Sequence, residues 1–397
     1  MKLLELVESA ATGVGRHVID LAEGLVERGD EVHLVYSELR CDDVFLRDLK
    51  RVQDHGKLHA FHLPMHREPR WSDIAAVGKL RQYLERNGPF DLVHCHSTKA
   101  GLLGRFGLWR HCVKRIYTPH MFFTMGPSRH GLAKLAVGAV EALSSKACDS
   151  IVVVSREEYS HAVGLGIDPK KLCLIRNGVS LRGAAGAEIE RAVLRRNWGL
   201  RDNDVCIGFV GRLVGQKSPE TMLRSFAALP HRVRATSRLA MVGEGPLSGA
   251  LRRLAAELSI EAQLDWLGER DARTLMHGFD ILALTSEAEG HSLVVLEAMA
   301  RGLPVVATAV GGISESVRPG VNGFVAPVRG VREIAAALET LASDPALRAR
   351  MGKASLELVR NFSVDRMVDQ TAALYAQVVS GSWKGEAAPD MKLAPMR

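Results

Sequence analysis

Two glutamates and the segment between them carry the clearest chemical signature in this 397-residue chain. Residues 280–286 have the composition of a buried parallel strand, and residues 304–308 have that of the next strand. Glu289 falls in the loop after the first of these strands, and Glu297 falls about two turns into the helix that follows. The free N–H groups and the dipole at the start of such a helix favour an anion. We therefore expect an acid-bearing site for a ligand such as phosphate at these strand ends.

Two cations lie in another predicted loop, after a strand at residues 205–210. Arg212 can bind two oxygens of a diphosphate, and Lys217 adds a point charge beside the helix that starts at Pro219. Taken alone, the two side chains fit solvated surface cations equally well. Ser218 is a favourable N-cap for that helix.

Glycine-bearing loops follow the next two predicted strands, and their backbone groups could hold a base. The residues of interest in these loops are Gly243, Gly245, Gly268 and Arg270.

Strands and helices alternate in both halves of the chain, which predicts an α/β fold with doubly wound parallel sheets. The first half opens with a strand at 3–7, a small-residue loop containing Gly13 and Gly15, a helix from about His17 to Arg28, and a strand at 31–36. The glycine pair is not a complete dinucleotide fingerprint, so a tight turn or another phosphate-type ligand is favoured over a dinucleotide. The length of the chain favours two domains.

The remaining patterns fill in this outline. We predict a helix at 72–87, a loop-rich segment at 55–70 and helices near 331–342, 345–360 and 364–380. The mixed composition of residues 381–397 predicts a disordered tail.

Charge and cysteine usage narrow the functional class. The formal net charge is +7, which suggests an anionic partner. The six cysteines show no CxxC spacing, which favours buried thiols in a reducing compartment over a zinc site. Neither a signal peptide nor an apolar run of spanning length is evident, so we expect a cytoplasmic protein. No nucleic-acid-binding module is recognisable, and nucleic acid is therefore disfavoured as a partner.

Several motifs together resemble the retaining glycosyltransferases of the GT-B fold, family four, also called group 1. The resemblance covers about residues 1–380, and it is most specific in the second half. The motifs that carry it are Val210-Gly211-Arg212-Leu213 with Lys217, Val242-Gly243-Glu244-Gly245-Pro246, the spacing from Glu289 to Glu297, Arg176-Asn177-Gly178-Val179, and residues 305–315.

The resemblance implies two Rossmann-like domains that face a cleft. It implies an acceptor-binding domain at 1–180, a linker at 181–204, a nucleotide-sugar-binding domain at 205–362 and a helix at 363–380 that crosses back to the first domain. A UDP- or GDP-sugar would be the donor substrate, and no cofactor would be needed.

The resemblance also assigns roles to residues. Arg212 and Lys217 would bind the donor diphosphate, together with the Gly13–Gly15 loop and the backbone of Ser292, Leu293 and Val294. Glu297 would bind the ribose, Glu289 would lie by the transferred sugar, and His120 matches the active-site histidine of the first domain. The family's usual Glu-Gly-Phe-Gly is here Glu289-Gly290-His291-Ser292, and this change should reshape the sugar pocket.

The expected reaction is hexosyl transfer with retention, by attack of the acceptor hydroxyl on the face that the leaving phosphate departs from. Glu289 as a nucleophile is a less favoured alternative. Arg212, Lys217 and the helix start could stabilise the leaving diphosphate without a metal, so we expect no metal requirement.

Two features of residues 92–140 suggest acceptor-side roles. His94 and His96 alternate on one predicted strand and should point the same way, without an evident third ligand for zinc; we favour a packing or acceptor-side role for His96 and for Lys99. The stretch contains seven lysines and arginines and no acidic residue, interleaved with apolar residues. It therefore suits either an anionic inner membrane surface or an ordinary core face with solvated cations.

The best interpretation is a glycosyltransferase that extends a lipid-linked glycan for exopolysaccharide, lipopolysaccharide or capsule, as a cytoplasmic and peripheral membrane enzyme. A sugar-nucleotide epimerase or hydrolase of the same fold, or a non-catalytic nucleotide-sugar-binding subunit, remains an alternative.

Overall fold

A computed structural model describes residues 1–54, 56–68, 70–108, 111–126, 131–181 and 187–385. The chain divides into two compact units, one formed by Met1–Gly178 with Val364–Arg397 and the other by Val179–Ser363. Each unit is built on one parallel sheet with helices packed against it, so the predicted fold class of two Rossmann-like α/β domains is confirmed.

The sheet of the first unit has seven parallel strands in the order β3-β2-β1-β4-β5-β6-β7. The strands are β1 Lys2–Val7, β2 Glu31–Tyr36, β3 Leu58–His62, β4 Leu92–His96, β5 Lys114–Thr118, β6 Ser150–Val153 and β7 Leu172–Leu174. The order reverses direction between β1 and β4, which leaves a crevice at their carboxyl ends.

Within the described ranges, six helices before the second unit cover this sheet. They are α1 Thr12–Glu27, α2 Asp43–Gln53, α3 Ser72–Asn87, α4 Thr98–Gly107, α5 Leu132–Ser145 and α6 Arg156–Gly164. The bounds of α3 are as predicted, whereas α1 begins earlier than His17 because its first turn takes up the predicted glycine loop. The predicted loop-rich segment was wrong in part, since β3 pairs with β2 in regular parallel register there.

The sheet of the second unit has six parallel strands in the order β10-β9-β8-β11-β12-β13. The strands are β8 Val205–Val210, β9 Ser237–Val242, β10 Leu264–Gly268, β11 Ile281–Leu284, β12 Val305–Thr308 and β13 Gly323–Ala326. Its direction reverses between β8 and β11, so the loops after these two strands border the crevice in which such sheets bind ligands.

Nine α-helices of the second unit lie within the described residues. They are α7 Ala187–Asn197, α8 Pro219–Ala227, α9 His231–Arg234, α10 Ser248–Glu257, α11 Ala272–Leu275, α12 Leu293–Met299, α13 Ile313–Ser316, α14 Val331–Ser343 and α15 Pro345–Leu358. Pro219 opens α8 as predicted, but Ser218 has a left-handed backbone and its side chain makes no capping hydrogen bond. Its hydroxyl lies 2.8 Å from the Thr221 hydroxyl instead.

The last helix, α16 Val364–Ser380, belongs to the first unit and packs against α1, which confirms the predicted return of the chain. Its buried face includes Met367, Leu374 and Tyr375. Most of the predicted disordered tail, residues 386–397, lies outside the described residues. Within the described ranges, no helix has both the length and the hydropathy that crossing a bilayer requires.

Candidate functional site

A lysine and a glutamate from two different loops meet at the crevice between β8 and β11. Lys217 Nζ lies 2.6 Å from Glu289 Oε1, and the Ser286 hydroxyl donates to the same oxygen at 2.6 Å. The Lys217 side chain keeps 20% of its surface exposed and that of Glu289 keeps 9%. The crevice therefore holds a partly accessible cation beside a nearly buried carboxylate, as the sequence predicted for two members of one site.

Hydrogen bonds hold these two loops in register. The Glu287 N–H donates to Gln216 O at 2.7 Å, and Gln216 Nε2 donates to Ala288 O at 3.0 Å. The Thr285 hydroxyl is within 3.2 Å of the carbonyls of Lys217 and Ser218. Because both strands end beside each other, these bonds set the Lys217–Glu289 distance through the backbone as well as through the ion pair.

The glycine pair after β12 supports the Glu289 loop from the other side. Gly312 N–H donates to Gly290 O at 2.6 Å. Gly311 has a φ of +54°, and a Cβ there would lie 2.1 Å from the Glu289 carbonyl oxygen. Only glycine permits this approach, so the pair fixes the height of the Glu289 loop above the sheet.

The glycines that were predicted to flank the base allow two neighbouring loops to pack closely against each other. A Cβ at Gly243 would lie 2.2 Å from the Gly211 carbonyl oxygen, and one at Gly245 would lie 2.4 Å from that of Leu213. Gly243 N–H also donates to Gly268 O at 2.8 Å. These glycines therefore place the loop that carries Arg212.

Arg270 has an exposed side chain next to the loops after β9 and β10. Arg212 is also exposed in its loop and has further interactions within the chain. Both positions are open to a ligand.

Helix α12 is shorter than predicted, with seven residues, and it follows Ser292. Glu297 is therefore about one turn into the helix and not two, and 8% of its surface is exposed. The Ser292 side chain makes no capping hydrogen bond, and Leu293 is buried whereas Val294 is partly exposed. Because a helix of seven residues has a weak dipole, the predicted binding of a diphosphate would depend mainly on Arg212 and Lys217.

His291 makes contacts away from Glu289. Its Nε2 lies 3.0 Å from the Ser316 hydroxyl, and its ring lies 5.2 Å from that of Phe362. A Cβ at Gly312 would lie 2.4 Å from the His291 ring. The side chain is 4% exposed. These contacts pack His291 against the Gly311–Gly312 loop, and the expected reshaping of the sugar pocket by His291 and Ser292 stays a prediction.

The crevice of the first unit contains a cluster of histidines. His96 Nδ1 lies 3.0 Å from His120 Nε2, and His96 Nε2 lies 2.7 Å from Glu5 Oε2. His94 and His96 point the same way as predicted, with ring centroids 4.0 Å apart. His96 is fully buried, so an acceptor would meet it only through His120. His120 itself is partly buried and has a left-handed φ of 59°, a strained conformation typical of functional positions.

Two members of this cluster were not predicted from the sequence. His17 of α1 lies edge-on to the His120 ring at 4.6 Å, and burial together with the neighbouring His96 lowers the pKa of His17 to about 3. Glu5 lies in the middle of β1 and is fully buried. The detectable signals were a charged residue inside an otherwise apolar strand and a histidine on the buried face of an amphipathic helix.

Two groups in this cluster have the side chains for a metal ion. The ring nitrogens of His17, His96 and His120 lie within 4.8 Å of one another, as do the ligand atoms of Glu5, His94 and His96. Glu5 is thus a candidate third ligand beside His94 and His96, and it was not evident from the sequence. In the structure, the facing nitrogens of His96 and His120 are already engaged with each other.

The remaining predicted residues of the first unit have local roles. Gly13 and Gly15 lie in the first turn of α1, where a Cβ at Gly15 would come within 2.7 Å of the Ala10 carbonyl oxygen. Lys99 pairs with the Asp73 carboxylate and is 7% exposed.

The basic stretch at 92–140 is only in part a surface feature. Arg105 is 1% exposed, donates to Glu141 Oε2 at 3.0 Å and lies 4.1 Å over the Tyr117 ring. Arg105 and Lys99 are thus paired inside the unit and contribute nothing to a charged face. Among the described residues of the stretch, the exposed large apolar side chains are Phe106 and, on α5, Leu132, Leu135 and Val140.

Models of known protein families match both halves of the chain. Residues 190–357 match the family model described as Glycosyl transferases group 1, and residues 11–182 match that described as Glycosyltransferase Family 4. The D-inositol 3-phosphate glycosyltransferase of Kribbella flavida is 30% identical over 310 residues, which cover 72% of this chain and 71% of that protein. The putative glycosyltransferase EpsD of Bacillus subtilis is 28% identical and is matched over 80% of this chain and 84% of its own.

Solved structures show the same fold. Anabaena HepE in complex with UDP and glucose superimposes with a TM-score of 0.80 at 22% identity, over 95% of this chain and all of that one. WaaG, a glycosyltransferase involved in lipopolysaccharide biosynthesis, gives a TM-score of 0.75 at 15% identity, over 94% of this chain and 99% of that one. The matched family models, the relatives and the shared GT-B fold establish that this chain belongs to group 1, family 4, of the glycosyltransferases.

Proposed function

We propose that this glycosyltransferase transfers a hexose from a UDP- or GDP-sugar, with retention and without a metal, to a lipid-linked glycan in cell-surface polysaccharide synthesis. The observation that carries this proposal is the meeting of Lys217 and Glu289 at the crevice between β8 and β11, 2.6 Å apart. Departure of a nucleoside diphosphate creates negative charge on its phosphates and positive charge on the sugar. The crevice offers a group of opposite sign for each of these charges.

Each residue of the site has a distinct role in the proposed reaction. Lys217 and Arg212 stabilise the leaving diphosphate, and Glu289 stabilises the charge that develops at the sugar. The acceptor hydroxyl attacks from the side on which the phosphate leaves, and the phosphate takes up its proton. Glu297 binds the ribose, the loops after β9 and β10 flank the base, and His120 contacts a substrate hydroxyl.

Uracil is the first base to test. HepE, which shares the fold at 22% identity, has been solved with UDP and with UDP-glucose. The role in surface polysaccharide is suggested by the likeness to WaaG, which is involved in lipopolysaccharide biosynthesis.

The experiment has two stages. Thermal unfolding is measured with a panel of UDP, GDP, ADP and their sugars, because a ligand that binds the folded state raises the melting temperature. The best nucleotide sugar is then incubated with and without membrane extract or purified polyprenyl-diphosphate glycans, and the products are separated. Transfer to the lipid fraction supports the proposal. A free sugar or a changed sugar nucleotide without acceptor would identify a hydrolase or an epimerase, and no turnover with tight binding would identify a binding subunit.

Metal independence has a separate test. Turnover is measured after chelation with EDTA and again after addition of Mg²⁺ or Mn²⁺. Unchanged turnover supports stabilisation of the diphosphate by Arg212 and Lys217 alone. Activity that is lost in EDTA and restored by one cation would contradict it.

Helix α5 supports a membrane-bound acceptor. Leu132, Leu135, Leu143 and Val140 expose 85%, 70%, 63% and 44% of their surface, respectively, on one helix of 14 residues. Its Lys134 is partly exposed and its Glu141 is buried against Arg105. An exposed apolar helix face without exposed acidic groups favours the interface of an anionic bilayer.

Vesicle sedimentation tests this surface. Binding to vesicles with phosphatidylglycerol is compared with binding to neutral vesicles, for the parent chain and for Leu135→Ser with Leu143→Ser. Ile189→Ser is the matched control, because Ile189 is 72% exposed in the second unit. We expect weaker binding of the α5 variant alone. Equal and negligible binding of all chains would contradict peripheral membrane association.

A further inference from the structure

One buried carboxylate anchors the histidine cluster of the first unit. Glu5 Oε1 accepts from the Tyr375 hydroxyl at 2.8 Å, and Glu5 Oε2 lies 2.7 Å from His96 Nε2. All three side chains are fully buried. An ionised carboxylate can only accept hydrogen bonds. His96 Nε2 must therefore carry a proton.

The proton on His96 Nε2 determines which nitrogen of His120 donates a hydrogen bond. A neutral imidazole has one N–H and one lone pair, so His96 Nδ1 is an acceptor once Nε2 is protonated. Its partner at 3.0 Å is His120 Nε2, which must then donate. Burial and the neighbouring His17 and His96 hold the pKa of His120 well below its ordinary value, and the ring is therefore neutral. Its lone pair is consequently on Nδ1.

A second arm runs from the same carboxylate to His94. Because the Tyr375 hydroxyl donates to Glu5, its oxygen accepts from His94 Nδ1, 2.5 Å away. His94 Nε2, 2.7 Å from the Thr118 hydroxyl, is then an acceptor. Burial raises the pKa of Tyr375 and lowers that of His94, so both groups are neutral. The two arms therefore have opposite histidine tautomers, both determined by Glu5.

We propose that Glu5, through His96, holds His120 in the Nε2–H tautomer, so that Nδ1 is presented as an acceptor for a substrate hydroxyl. Glu5 and His96 are positioning residues in this arrangement. The assignment combines these hydrogen bonds with an ionised Glu5 and a singly protonated His96, and its use on a substrate rests on the proposed function.

Nitrogen NMR measures the tautomers directly. The chain is labelled with ¹⁵N-histidine and freed of metal with EDTA, because the cluster could ligate an ion and shift the signals. Two-bond and three-bond ¹H–¹⁵N correlations distinguish Nδ1–H from Nε2–H, and single His→Gln variants assign each ring. We expect Nε2–H for His96 and His120 and Nδ1–H for His94. A protonated Nδ1 on His120, or a His96 protonated at both nitrogens, would overturn the proposal.

Glu5→Gln tests the source of the effect. The glutamine amide has one acceptor oxygen where the carboxylate has two. The hydrogen bonds, and with them the tautomers, must therefore reverse either at His96 and His120 or at His94. Glu8→Gln is the matched control, since Glu8 is a buried glutamate that pairs with Arg40 at 2.6 Å outside the cluster. Unchanged tautomers on both arms of Glu5→Gln would contradict the anchoring role. If this variant does not fold, the spectra of the parent chain still decide the proposal.

Kinetics separate this inference from the proposed function. Where Glu5→Gln reverses the His120 arm, we expect kcat to fall about tenfold with little change in the affinity for the nucleoside diphosphate, whereas Glu8→Gln keeps its kcat. Spectra as predicted with no sugar transfer in any chain would reject the proposed function and leave the tautomer assignment intact. Sugar transfer by a chain whose His120 is protonated at Nδ1 would reject the tautomer assignment and leave the proposed function intact.

Discussion

Lys217 Nζ and Glu289 Oε1 are 2.6 Å apart, although the two residues follow different strands of the second sheet. Glu289 also accepts from Ser286, so its carboxylate is held in place when no ligand is bound. A diphosphate that approaches Lys217 must share this cation with Glu289 or take it over. Under the proposed function, the pair competes with nucleotide binding and also keeps both groups in position for the reaction.

Removal of the cation should weaken nucleotide binding. We expect Lys217→Ala to raise the Kd for the best nucleoside diphosphate about tenfold or more, which corresponds to about 1.4 kcal/mol, because a charge-assisted contact is lost. Calorimetric titration measures the Kd of both chains. Arg329→Ala is the control, since Arg329 pairs with Glu287 in the adjoining loop. An unchanged Kd in Lys217→Ala would remove this residue from the diphosphate site.

Removal of the carboxylate charge should have the opposite effect on binding. In Glu289→Gln, Lys217 no longer pairs with a carboxylate, so we expect the nucleoside diphosphate to bind several-fold more tightly while kcat falls at least 100-fold. Titration and steady-state kinetics on the same preparation measure both. Glu287→Gln, in the same loop, should leave both values near those of the parent chain. Weaker binding together with an unchanged kcat would contradict the assigned role of Glu289.

The support beneath the Glu289 loop can be tested by adding one carbon. Gly311→Ala should lower the free energy of unfolding by about 2–4 kcal/mol, because it combines a strained φ with a contact at 2.1 Å to the Glu289 carbonyl oxygen. Gly320→Ala is the control, since Gly320 also has a positive φ of 76° but a Cβ there would meet no atom within 4 Å. Urea unfolding of both variants separates strain from clash. Equal losses would show that the close approach costs nothing.

The buried histidines predict acid sensitivity. His17 has a pKa of about 3 in the folded chain, against about 6.5 when unfolded. Between these values the unfolded chain binds the additional proton, so stability falls as the pH falls, by up to about 1.4 kcal/mol per pH unit for this group. The lowered pKa values of His94 and His120 act in the same direction.

Urea unfolding between pH 7.5 and pH 5 measures this dependence. His17→Gln should reduce the slope by about one proton. His59→Gln, at a side chain that is 52% exposed, serves as the comparison. A slope that is unchanged in His17→Gln would contradict the neutral, buried state of His17.

The sequence predicted elements well where local pattern and tertiary burial agree. The bounds of β2, α3 and β8 are those expected from periodicity and from flanking turn residues. It failed for α2 and β3, because histidines, prolines and charges interrupt their apolar positions. The Lys217–Glu289 pair was predicted as two members of one site, since strand ends of one sheet meet at one edge.

The partners of the buried cluster could not have been predicted in the same way. Glu5 bonds to His96 and Tyr375, which are 91 and 370 positions away in the chain. No local pattern connects such residues, and a glutamate in a strand more often faces solvent. The contacts of His291 were hidden for the same reason, because the packing of Phe362 and Ser316 around it depends on the folded backbone.

The close contacts of the glycine loops have a consequence for engineering. The space where side chains of Gly243 and Gly245 would lie is filled by the carbonyl oxygens of Gly211 and Leu213. A mutant library that aims to exchange one nucleotide base for another must therefore keep both glycines constant. Under the proposed function, the positions to vary are the neighbouring exposed Glu244, Glu269 and Arg270, because changes there leave the glycine contacts in place.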